Sequence, residues 1–145
     1  MTLQDLLNAR WTALIEALGP SWSPPDISWG YGQSPHFTSA RGFATTLVIS
    51  PTTFYLKFAE KVAHEPTTRV DALVRHELGH VLDFSTDAAV LNGWALGRGV
   101  CLPDTPERRA DALCEAVWGA PIFYDKDDVQ TLTSGQRPRP ARLGL

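Results

Sequence analysis

Three stretches of the chain carry apolar residues at helical spacing. Leu3, Leu6, Leu7, Trp11, Leu14 and Leu18 recur at i, i+3/i+4 and predict an amphipathic helix over residues 2–18. Thr2 is suited to cap it, Gly19-Pro20 to end it, and its apolar stripe to pack against a sheet. Val70, Leu73, Val74, Leu78, Val81 and Leu82 repeat the pattern and predict a second helix running to about Phe84. Thr67 or Thr68, after Pro66, can cap its start, with Asp71 in the first turn. A third helix is expected from Thr105 to Trp118, with Pro106 in its first turn and Gly119-Ala120-Pro121 closing it.

Elsewhere the period is two. Ile27 to Tyr31 alternates and reads as a short strand, and Phe43 to Ser50 reads as a longer one. In the longer strand Phe43, Thr45, Leu47 and Ile49 share one face, and Ala44, Thr46, Val48 and Ser50 the other. The second set is small and partly polar, which predicts an exposed face or an edge. Residues 53–63 fit a helix through Phe54, Phe58 and Val62, while Phe-Tyr-Leu-Lys-Phe equally fits a strand. The long connection 85–104 carries Gly93, Gly97, Gly99 and Pro103, with a helical turn or two expected between Asp87 and Leu96. Loops of such length in a small domain are often functional. This order predicts an α+β class with a short mixed or antiparallel sheet. One domain over residues 1–135 suits the length, and residues 136–145, with Arg137-Pro138-Arg139-Pro140, read as a flexible tail.

Composition narrows the function. The net charge of −3 comes with no evident basic face, which argues against nucleic acid. No apolar run approaches the roughly 20 residues of a membrane span. Met1-Thr2-Leu3-Gln4-Asp5 has neither the basic start nor the apolar core of a secretion signal, so a cytoplasmic location is expected. There, Cys101 and Cys114 are expected as free thiols.

The second helix contains His76-Glu77-Leu78-Gly79-His80, an H-E-x-x-H pattern. Helical positions i and i+4 differ by only about 40° in direction, so both imidazoles project from one face and can share a metal ion. Neutral imidazole suits zinc, which lowers the pKa of a bound water to about 7. Glu77, beside His76, is placed to act as general base. Gly79 lacks a side chain and allows a strand or the metal site to approach closely, although it costs the helix about 1 kcal/mol. The bland alternative makes His76 and His80 ordinary residues of a partly buried helix, with Glu77 exposed.

A catalytic zinc site needs a third protein ligand. No histidine follows His80, and Asp83 and Thr86 stand where the longer H-E-x-x-H-x-x-G-x-x-H pattern needs Gly and His. The best candidate is Glu107, 107 − 80 = 27 positions after His80, at the start of the third helix. Asp111 shares its face at i+4 and can accept the N–H of a ligand histidine, fixing its tautomer. Ala110 between them permits close packing. Asp111 itself, Glu115 and Asp104 are reserve ligands. Glu107 could instead close a capping box in Asp104-Thr105-Pro106-Glu107, and Asp111 could pair with Arg108 or Arg75. Cys114, one turn further along this face, suits core packing. Asp83 suits either support of a ligand or the helix end.

H-E-L-G-H followed by a helix with E-x-x-A-D resembles the gluzincin branch of the zincin metallopeptidases, and especially the small ImmA/IrrE-like ones, which carry H-E-x-G-H and E-x-x-A-N. Asp111 for Asn departs from that pattern and agrees with the thermolysin type. The motifs cover roughly residues 67–118. The resemblance implies a minimal zincin-like domain with Zn2+ held by His76, His80 and Glu107, Glu77 as base and Asp111 supporting a ligand. It also implies an oxyanion-stabilising His or Tyr, for which His36, Tyr31, Tyr55 and Tyr124 are candidates. The activity expected is peptide-bond hydrolysis on a peptide or protein substrate, extended along strand 43–50. A catalytically inactive zinc-binding interaction module on the same scaffold is the alternative.

Overall fold

The computed structural model describes residues 1–32 and 43–119. Four α-helices and a three-stranded mixed sheet make up the described part, an α+β arrangement as the patterns predict. Helix α1, Leu3–Leu18, opens with a reciprocal capping box between Thr2 and Asp5. The backbone and side-chain hydrogen bonds from Thr2 hold the exposed Asp5 carboxyl below its ordinary pKa. Its buried Leu3, Leu6, Leu7 and Leu14 join one core with Phe54, Leu56 and Phe58 of the sheet. Helix α1 also packs on the two helices that carry the histidines and Glu107. The Trp29 indole N–H ties the sheet back to α1 by donating to Gln4 Oε1 at 2.9 Å.

Strand β1, Asp26–Tyr31, runs parallel to β3, Thr53–Phe58, and β2, Ala44–Ser50, runs antiparallel to it, giving the order β1-β3-β2. Of the two readings of residues 53–63, the strand holds for the first half. A 3₁₀ turn, Glu60–His64, follows it. Phe54 and Phe58 lie four apart, which suits one face of a helix as well as one face of a strand; pairing on both sides decides for the strand.

Strand β2 is an edge among the described residues, as expected, but its small set faces the core instead of solvent, and Phe43 and Thr45 of the other set are buried as well. Ala44 and Thr46 are fully buried, whereas Ile49 is 65 % exposed. The small set points inward because a helix lies close over it, and small side chains permit that approach.

Helix α2, Thr67–Ser85, carries the histidines. It starts at Pro66 with no side-chain cap, so neither threonine performs the expected role. Asp71 lies beyond the first turn and binds the Arg10 guanidinium of α1 through two bonds of 2.7 and 2.8 Å. This pairing keeps Arg10 firmly protonated against partial burial. Helix α3, Ala88–Gly97, is longer than the turn or two expected, and Asp87 caps it by accepting from the Val90 N–H. Helix α4, Pro106–Trp118, begins with its proline and ends at Gly119 in the left-handed region, φ 73°. No described helix is long and apolar enough to cross a membrane. The proposed tail 136–145 and the rest of the chain beyond Gly119 lie outside the described residues.

Candidate metal centre

Helices α2 and α4 pack at a point set by two small residues. A Cβ on Gly79 would stand 2.8 Å from the Ala110 carbonyl oxygen, closer than any real side-chain contact, so only glycine allows this crossing. The partner at this approach is α4. Alongside it, the Arg109 guanidinium of α4 donates to Asp83 of α2 at 2.9 Å, and Arg109 also reaches Asn92 of α3. Asp83 and Arg109 are both buried, and α2 runs on to Ser85, so Asp83 does not end the helix. It anchors α4.

This crossing brings Glu107 over the two histidines. His76 Nε2 and His80 Nε2 are 3.0 Å apart. Glu107 Oε1 lies 2.6 Å from His80 Nε2 and 3.5 Å from His76 Nε2. An ion with tetrahedral bonds of about 2.0–2.1 Å sets its donors about 3.3 Å apart. The three separations bracket that value, and the group can hold a metal ion. Asp111 Oδ1 is 2.9 Å from His76 Nδ1. An N–H at Nδ1 leaves the Nε2 lone pair facing the other two donors. The His80 ring is fixed from its far side by stacking on Phe84, centroids 5.3 Å apart.

The histidine rings are fully buried, and so is Glu77. Burial works against a charged His76, but the hydrogen bonds to Asp111 and Glu107, with the charge of Glu77, outweigh it and lift its pKa to about 10. Burial likewise opposes a charged Glu107; the charges of His80 and His76 and their hydrogen bonds hold its carboxyl well below the usual carboxylate range. A proton on His76 would therefore compete with a metal ion for its Nε2.

The alternatives for these residues separate clearly. Helix α4 starts at Thr105 with no side-chain cap bond, so Glu107 is directed at the histidines, not at its own helix end. Asp104 and Glu115 are exposed. Arg75 lies 3.4 Å from Asp71. Cys114 is buried and packs with Ala72 and Trp118, and burial raises its thiol pKa; both cysteines are free thiols. Tyr31 packs edge-on against Trp29 at the exposed end of β1. Tyr55 sits opposite Leu47, on the sheet face away from Phe54, Leu56 and Phe58. His36 and Tyr124 lie outside the described residues.

Sequence reasoning missed Thr46. Its hydroxyl donates to Glu77 Oε1 at 2.8 Å, from the inward face of β2. The available signal was a hydroxyl set between Ala44 and Val48 on the small-residue face. The chain matches no protein-family model, no curated protein and no solved structure. The reading of the site therefore rests on its own geometry.

Proposed function

We propose that the protein is a zinc-dependent metallopeptidase of the gluzincin type, with His76, His80 and Glu107 as metal ligands and Glu77 as general base. The observation that carries this reading is the convergence of His76 Nε2, His80 Nε2 and Glu107 Oε1, backed by Asp111 on the other nitrogen of His76. Two imidazoles and one carboxylate form a donor set that suits zinc and leaves a coordination position open. Bound there, zinc supplies a Lewis acid and a water whose pKa is lowered to about 7.

The chain's own residues do the remaining work. Asp111 holds the proton on Nδ1 of His76 and so keeps Nε2 a donor to the metal. Glu77 takes a proton from the attacking water and returns it to the leaving amine. Its burial beside the ligands raises the strength of these interactions by excluding solvent. A substrate in extended form would pair with β2, the edge strand over α2.

Elemental analysis of wild type, His80→Ala and Glu107→Ala proteins tests the site. About one zinc per chain is expected in wild type and none in either variant. Incubation with a peptide library, read by mass spectrometry, tests the reaction: wild type should cut, and Glu77→Gln should keep zinc and lose cutting. Zinc without cutting in wild type would support the interaction module. No zinc in wild type prepared without chelator would overturn the reading.

A further inference from the structure

We infer that Thr46 is a positioning residue for the Glu77 carboxylate; the inference rests on the metallopeptidase reading above. Thr46 stands on β2 and Glu77 on α2, and both are buried. The Thr46 hydroxyl lies 2.8 Å from Glu77 Oε1 and 3.3 Å from the Glu77 backbone carbonyl, so the carboxylate is the nearer acceptor. A bond to an ionised oxygen is also the stronger of the two.

The helix alone does not orient this carboxylate. Glutamate has three side-chain torsions, and the last has a broad, shallow preference. Thr46 supplies a donor to the carboxylate from outside the helix. The task needs a hydroxyl on the inward face of β2, whose O–H can turn to meet the carboxylate. The donor also comes from the strand expected to hold the substrate. One hydrogen bond thereby ties the position of the base to the position of the peptide it would act on. Thr46 is paired with Leu56 in the interior of β3.

The test uses zinc-loaded full-length protein and acetohydroxamate, a zinc-chelating probe that also hydrogen-bonds to a carboxylate beside the ion. Its dissociation constant is measured by titration calorimetry, with zinc content and thermal midpoint recorded for every variant. Thr46→Val should keep zinc at wild-type level and weaken the probe about tenfold or more, the scale of a lost hydrogen bond to a charged group. Thr46→Ser should restore wild-type binding to within about twofold. In a Glu77→Ala background, which removes the acceptor, Thr46→Val should cost nothing further, because its effect passes through Glu77. Thr46→Ala takes the place of the valine variant if valine disturbs folding.

Wild-type binding in Thr46→Val, failure of the serine variant, or additivity with Glu77→Ala would overturn the role of Thr46 alone. Failure of the wild type to take up zinc would overturn the metallopeptidase reading and this inference together.

Discussion

Helix α2 has two unlike sides. Toward α1 and the sheet it presents Val70, Leu73, Val74, Leu78, Val81 and Leu82 to Leu14, Phe54 and Phe58. Toward α4 it presents His76, His80 and Asp83 to Glu107, Asp111 and Arg109. The apolar side stabilises by removing area from water, and that contribution is non-directional. The polar side offers little net stability, since desolvating charged groups offsets their attraction. It is directional and sets where individual atoms stand. One side of the helix holds the fold, and the other holds a site.

The largest departure should come from the polar side. His80→Ala or Glu107→Ala removes one of three donors and should lower bound zinc from about one per chain to none by elemental analysis, with far-ultraviolet circular dichroism unchanged. The next comes from the apolar side. Phe54→Ala should lower unfolding free energy by about 3–5 kcal/mol in denaturant titrations, yet leave zinc stoichiometry intact in the folded protein. Loss of zinc there would mean that the two sides are not separable.

Asp111→Asn should weaken zinc by about 10–100-fold in competition with a chelator, since the carboxylate that orients His76 becomes an amide. The same variant bears on pH. In the metal-free protein, His76 has its pKa raised from 6.5 to about 10 on folding. A raised pKa means that the stability His76 contributes is complete below its unfolded value and is lost as pH rises through the folded one. Asp111→Asn should move that loss to lower pH in thermal melts of metal-free protein. The smallest effect should follow Arg10→Ala. The Arg10–Asp71 pair is partly exposed, with side chains at 34 % and 16 %, and its removal should cost less than about 1 kcal/mol in denaturant titrations, less still in high salt.

The apolar side was the more legible one. Leu3, Leu6, Leu7 and Leu14 mark α1 by spacing alone, because one periodic stripe has one helical solution. Residues 53–58 were ambiguous because Phe54 and Phe58 satisfy both periods, and only the neighbouring strands choose between them. The inward turn of Ala44 and Thr46 is not legible in the sequence for a related reason: small residues mark both an exposed face and a close packing surface. On the polar side, His76/His80 and Glu107/Asp111 are legible as i, i+4 pairs, and the need of an H-E-x-x-H site for an acidic third ligand joins the two pairs. Asp83–Arg109 and Thr46–Glu77 are not, because no motif links their positions and they meet only through the tertiary crossing of their elements.

The crossing at Gly79 has a consequence for how this chain can vary. The atom that a side chain at position 79 would strike is the backbone oxygen of Ala110. No exchange of the residue at 110 removes a backbone oxygen, so the two positions cannot compensate for each other by trading volume. Genetic suppressors of Gly79→Ala should therefore fall elsewhere, in residues that set where α4 begins, such as the 98–105 connection, and never as a reciprocal change at 110.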